Sequence, residues 1–242
     1  MFRKALLLCV ALLCGCTANA QVKPKPDVLK AAFGGGFVAE ADGERYPVRV
    51  VRLGELNLSS GRLMVADPFT LSGDEKALDL AIPPGRYPVD LAVADTGKSG
   101  HRIALARLVL SDKPPVRWRI AVTAEQDARS LKGSEVFGYG VDAGTGAFID
   151  GGALASLKAL PSDAWEALGE QWQVRGEAQG PKLGMPYQFA LMETVGPGGI
   201  AMFSSGWGDG FYASWVGYDA QGRPTSVITD FGVIDAVTTP RD

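Results

Sequence analysis

The chain has 242 residues, with 24 Lys and Arg against 27 Asp and Glu and a formal net charge of −3. At 46% hydrophobic and 21% charged it is not a disordered composition, and its length allows one sizeable core or two small ones at most. The mild acidity excludes a general grip on a nucleic-acid backbone. A single histidine, His101, and no cysteine beyond Cys16 leave no parts for a His-pair zinc site or a Ser-His-Asp triad.

Residues 1–20 read as a signal peptide. Met1-Phe2-Arg3-Lys4 is a basic head, and the apolar run from Ala5 to Cys14 is too short for a membrane-spanning helix of roughly 20 residues. Two cleavage readings compete. Ala18-Asn19-Ala20 before Gln21 fits ordinary secretion, whereas Leu13-Cys14-Gly15-Cys16 resembles a bacterial lipobox that would make Cys16 the lipid attachment site. Both export the protein, to the periplasm or to the outer membrane as a lipoprotein. All three cysteines lie in this segment, so the rest of the chain has no disulfide to rely on.

Residues 21–44 read as a flexible tether, with Lys23-Pro24-Lys25-Pro26 extended and Gly34-Gly35-Gly36 loose. Residues 45–236 read as a single globular domain, and 237–242 as a tail. Within the domain, short apolar runs alternate with turn residues. The 31 glycines are nearly twice the usual share of about 7%, as many tight turns between strands would require. Val116–Val122 is the clearest strand, with Val116, Trp118, Ile120 and Val122 on one face. Pro47–Leu53, Leu63–Ala66, Val89–Val93, Arg102–Leu110, Gln188–Thr194, Ile200–Ser204, Phe211–Tyr218 and Thr225–Thr229 follow the same logic. Helical spacing is confined to two places. Asp150 caps a short helix carrying Leu154, Leu157 and Leu160 and stopped by Pro161; Ser162 caps another carrying Trp165, Leu168 and Trp172 and ending at Gly176. The expected fold is mainly β (α+β): a predominantly antiparallel β domain with two short helices inserted in its second half.

No G-x-S-x-G elbow, S-x-x-K motif or Walker A loop is present. Gly138-Tyr139-Gly140-Val141-Asp142-Ala143 formally fits a dinucleotide fingerprint, but more glycine follows it instead of a helix. What remains is a set of aspartates beside glycines and aromatics. Asp142 lies in Val141-Asp142-Ala143-Gly144-Thr145-Gly146, Asp209 in Ser205-Gly206-Trp207-Gly208-Asp209-Gly210, Asp67 before Pro68, and Asp230 between Thr229 and Phe231. Brought together, such carboxylates would hold Ca²⁺ or Mg²⁺, with Asp142, Asp150 and Asp209 as ligands, or would divide acid and base roles in a hydrolase built on Asp142 and Asp209. Turn chemistry explains each of them separately, because Asp caps nearby N–H groups and Gly supplies positive φ.

The chain resembles the bacterial DUF4241 family, a domain of unknown function. The resemblance is carried by Leu53-Gly54-Glu55-Leu56, Ser60-Gly61, Ala66-Asp67-Pro68 and Pro83-Pro84-Gly85-Arg86-Tyr87-Pro88-Val89. It continues in Gly140 to Gly146, Ser205 to Gly210 and Thr229-Asp230-Phe231. It implies one domain, and places Asp67, Arg86, Asp142, Asp209 and Asp230 within signature segments, without supplying an activity.

The expected role is a non-catalytic binding module of the cell envelope that needs no cofactor. Its contacts are Trp207, Tyr139 and Tyr212, with Arg86, Asp67 and Asp230 beside them. Its partner is a protein or a cell-wall ligand and not nucleic acid, and membrane contact is through the lipid anchor alone. The alternative is the carboxylate hydrolase, with or without Ca²⁺ or Mg²⁺.

Overall fold

The computed structural model describes residues 25–34 and 37–238; the signal segment, both cleavage readings and Cys16 lie outside the described residues. The elements run α1 (Pro26–Ala31), β1 (Val38–Ala41), β2 (Glu44–Leu58), β3 (Leu63–Ala66), β4 (Gly85–Asp95), β5 (His101–Val109), β6 (Arg117–Ile120), β7 (Tyr139–Val141) and β8 (Thr145–Asp150). Then come α2 (Gly151–Lys158), α3 (Ser162–Lys182), β9 (Ala190–Val195), β10 (Gly198–Ser204), β11 (Gly210–Tyr212), β12 (Ser214–Tyr218), β13 (Pro224–Asp230) and β14 (Ala236–Thr238). The fold is mainly antiparallel β with helices, as expected.

Eight strands form a large sheet in the order β14-β1-β2-β4-β5-β13-β12-β6, and four form a smaller one in the order β3-β8-β10-β9. The smaller sheet is buried on both faces, and the period-2 alternation of its strands sorts their residues into two cores. Phe148 of β8, Ala201 and Phe203 of β10 and Leu63 of β3 point toward the large sheet and join its core. Their neighbours Ala147, Ile149, Ile200, Met202 and Met64 point the other way, into a second core with Ala153, Leu154 and Leu157 of α2 and Trp172 of α3. The result is large sheet, small sheet, then helices.

The outer face of the large sheet is also partly covered. Arg52, Asp90 and Arg107 are cross-strand neighbours on β2, β4 and β5. The Asp90 carboxylate, nearly buried, accepts from Arg52 Nε and, at 2.7 Å, from Arg107 Nη2. The Phe33 ring lies 4.1 Å from the Arg107 guanidinium, so the segment after α1 packs over this ion triad.

Three sequence expectations are corrected here. Most of the segment read as a tether is folded. Pro26 opens α1, Val28 and Leu29 are buried in the main core, and β1 pairs with both β2 and β14. Six helical residues are too few to show a periodicity, and Pro at the first turn is a helix start as well as an extended-chain signal. The second correction is that Ser162 is the first residue of α3 and not its cap, which falls on Pro161.

The third is that α3 does not end at Gly176 but runs on to Lys182. Gly176 and Gly180, one turn apart, face the chain leading into β9. A Cβ on Gly176 would lie 2.1 Å from the Phe189 ring, and one on Gly180 only 1.7 Å from the Gln188 carbonyl oxygen. The glycines are there for close packing, not for termination. Gly169, in the same helix, has nothing within 4 Å of its would-be Cβ. Gly169→Ala is therefore expected to stabilise the fold by about 0.8–1 kcal/mol, and Gly176→Ala or Gly180→Ala to destabilise it by about 1–3 kcal/mol or more. Urea titration of the three variants reads this directly, and equal effects at all three positions would refute the close-packing account.

Candidate functional site

The smaller sheet has two ends, and the aspartates divide between them. Strand β8 separates its Thr145 end from its Asp150 end by five residue steps, about 17 Å. At the Asp150 end that carboxylate is fully buried and occupied by protein donors. It accepts from Gly152 N–H (2.8 Å), Ser59 Oγ (3.1 Å), Ser60 N–H (3.0 Å) and Ser60 Oγ (2.6 Å). It caps α2, as its position suggested, and pins the β2–β3 turn to that helix. Arg86 belongs to this end too. It pairs at 3.3 Å with Glu55 on the exposed surface, and its register partner Asn57 donates to Pro197 O in the β9–β10 turn. The structure thus separates Asp150 from Asp142 and Asp209, and Arg86 from the other signature residues. Among the described residues no group of three or more His, Cys, Asp or Glu is arranged to hold a metal ion.

At the Thr145 end several segments converge. Asp67, leaving β3, is 3% exposed. Its Oδ2 accepts from the Asp142 and Ala143 N–H groups at 3.0 and 2.7 Å, and its Oδ1 from Phe69 N–H at 2.9 Å. One carboxylate therefore holds the β7–β8 turn. Asp209 holds the same turn from the other side, Oδ1 accepting from Gly144 N–H at 3.0 Å. The segments of Asp142 and Asp209 are thus in contact, and both side chains are exposed.

The loop around Trp207 is framed from below. Gly206 has φ +59°, and a Cβ there would lie 2.8 Å from Phe231 Cβ, so the glycine run serves a close approach to the chain after β13. Ser205 Oγ and Tyr212 Oη both donate to Gly208 O, at 2.8 and 2.7 Å. Tyr212 stacks edge-on against Phe231 at 5.1 Å between centroids; burial, and then the Asp209 carboxylate, push its phenol up from the ordinary range. Strands β7 and β11 form a ribbon that pairs Tyr139 with Tyr212 and Gly140 with Phe211. Tyr139 is buried, and that burial pushes its phenol strongly upward.

What this frame presents to solvent is aromatic. Trp207 is 54% exposed and Phe211 42%, and the Arg102 guanidinium lies 4.9 Å from the Trp207 ring centroid. Two clefts open beside the turn. One, of about 490 Å³, is lined by Asp67, Lys76, Thr123, Gln126, Tyr139 and Ser214 among others. The other, of about 660 Å³, lies between the turn and the C-terminal half of α3. Sequence reasoning singled out Trp207, Tyr139 and Tyr212 beside glycines, and of these Trp207 is exposed whereas Tyr139 is buried. It missed Tyr187 and Gln188, which line the second cleft. Pro186 before them signals a turn, but nothing local signals a cleft wall.

A family model described as a protein of unknown function (DUF4241) matches residues 56–229. The chain belongs to that family. The match runs from within β2 to within β13 and leaves α1, β1 and β14 outside it. No curated protein and no solved structure matches the chain.

Asp230 lies behind this surface, 3% exposed, with Oδ1 accepting from Gly232 N–H at 2.9 Å. Burial outweighs that bond and the nearby Lys25 charge, and pushes the carboxyl up to about 6 from an ordinary 3.8. A raised folded-state value means the proton is bound more tightly in the folded protein. Its stabilising contribution is then full below about pH 4 and lost as the pH rises through about 6. Asp230→Asn keeps the acceptor oxygen without the charge. Its melting temperature, measured against the unmodified protein, is expected to gain steadily between pH 4 and pH 7; a constant difference over that range would contradict a buried charge.

Proposed function

We propose that this DUF4241 protein is an exported, non-catalytic binding module of the bacterial cell envelope that meets its partner through the Trp207 surface. One observation carries the reading. A half-exposed Trp207, stacked by Arg102 and flanked by exposed Phe211, stands on a loop held by Asp209, Ser205 and Tyr212. A large aromatic held rigid before binding loses little entropy on association, and Trp and Arg dominate binding hot spots. The buried carboxylates support the same reading, since Asp67 beside this surface and Asp150 at the far end of the small sheet both spend their oxygens on backbone N–H groups and hydroxyls. The basic head, the short apolar run and Cys16 support export and a lipid anchor. No described helix is long and apolar enough to cross a membrane. Purification from envelope fractions tests both parts. The intact mass is expected to begin at lipidated Cys16, and a partner retained by the unmodified protein is expected to be lost with Trp207→Ala, a change worth about 2 kcal/mol or more at a hot spot. Retention of Met1 would remove export, and an unchanged partner profile in a folded Trp207→Ala variant would remove the Trp207 surface.

The second reading, a carboxylate hydrolase using Asp142 and Asp209 with or without Ca²⁺ or Mg²⁺, rests on the contact between their two segments through Gly144 N–H. Oxygen ligands at this turn would suit either ion. Binding would raise the stability by about 2.7 kcal/mol at a hundredfold excess of ion over its dissociation constant, and Asp142→Asn would abolish the gain. A melting temperature indifferent to both ions and to chelator would end the metal version.

A further inference from the structure

We infer that the cleft between the C-terminal half of α3 and the Ala143–Thr145 turn is a saccharide-binding site. This goes beyond the binding reading above, because it concerns a different surface and commits to a ligand class. The key atom is the Gln188 side-chain oxygen. Gln188 is 5% exposed and lines the cleft. Its Nε2 donates to Tyr187 O at 3.2 Å, while Oε1 is buried with no hydrogen-bond partner among the described residues. Buried acceptors are nearly always satisfied, so this orphan, carried by a residue that lines an open cleft, calls for a donor from outside.

The residue before it supplies the second sign. Tyr187 is 97% exposed and has φ +62°, a left-handed conformation that a bulky residue adopts only at a cost. The conformation turns a full aromatic ring out at the rim of the cleft, which Pro186, Pro181 and Phe189 extend as an apolar wall. At about 660 Å³ the cleft lies within the range of small-molecule sites, about 300–1,000 Å³.

The lining chemistry selects the ligand. It contains no Lys, Arg or His and one carboxylate, Glu177, so it offers nothing to an anion. Four of its backbone donors are already spent: Gly144 N–H on Asp209, Gln188 N–H on Met185 O, Phe189 N–H on Ser204 Oγ and Ser204 N–H on Phe189 O. A peptide, which binds through its main chain, would find few donors there. A sugar ring brings what is wanted. Its hydroxyls donate to Gln188 Oε1 and Glu177, and its C–H face stacks on Tyr187.

The test is an array of neutral and N-acetylated oligosaccharides, including chitotriose, maltotriose and cellotriose, probed with the full exported protein and followed by titration of the retained sugars. The unmodified protein is expected to bind at least one of them. Tyr187→Ala should weaken that binding about tenfold, equivalent to about 1.4 kcal/mol. Gln188→Leu should abolish it while the melting temperature holds or rises, because an apolar replacement removes the orphaned acceptor. Trp207→Ala should bind sugar normally, which keeps this site distinct from the Trp207 surface. The inference is overturned if no array sugar binds at millimolar concentration, or if binding survives in both Tyr187→Ala and Gln188→Leu. Capture of unglycosylated peptides by this cleft, lost in the same two variants, would also overturn it.

Discussion

The double burial of the four-stranded sheet governs this protein. Each of its strands must satisfy two cores at once, one against the large sheet and one against α2 and α3. With a side-chain period of two, a one-residue slip of β8 or β10 would exchange the cores, driving Phe148 and Phe203 into the space of Ile149 and Met202. Fully burying side chains of this size contributes about 1.5–3 kcal/mol each. Phe148 and Phe203 also meet edge-on at 5.2 Å, so a slipped register would lose both burial and ring contact. The chain has no disulfide to enforce that register beyond residue 16, and packing alone must do so.

Both ends of that sheet are finished by a buried aspartate, and the two do the same kind of work. Asp150 gathers the β2–β3 turn and the start of α2; Asp67 gathers the β7–β8 turn. A carboxylate accepting several N–H bonds rigidifies the loops around it, at the cost of its availability for chemistry. Asp209 is the intermediate case. One oxygen is engaged by Gly144 N–H, while the side chain stays exposed. The surface that results at the Thr145 end is stiff in its backbone and aromatic in its display, a combination suited to recognition. Its counterpart on the outer face of the large sheet, the Arg52–Asp90–Arg107 triad under Phe33, ties the N-terminal segment to the same body.

Much of this was legible in the sequence wherever one residue pattern implied one environment. The strand that the sequence predicts at 63–66 has those bounds in the structure, and the alternation at Trp118 and Ile120 is the alternation seen in β6. The motifs that carry the DUF4241 resemblance run from Leu53 to Phe231 and so cover the matched span, 56–229. β1, β7, β8 and β14 have no counterpart among the strands that the sequence predicts. Thr145–Asp150 is buried throughout, and a strand buried on both faces shows no polar alternation to find. Asp90 binds two arginines that come from separate strands, β2 and β5, so no local pattern pairs them.

Local chemistry alone determined the antiparallel β character, the Asp150 cap, the aromatic and glycine cluster around Trp207, and the basic, apolar head of the chain. These depend on residues within a few positions of one another. Only the tertiary structure decided that Gly176 and Gly180 are packing sites inside a helix, that the segments of Asp142 and Asp209 meet while Asp150 stands at the other end of the sheet, and that Gln188 lines a cleft. The physical reason is the same in each case. The partner atoms, at Phe189, Gly144 or the far side of a cleft, are brought in by strand order and by sheet-on-sheet packing, and neither is written in the spacing of neighbouring residues.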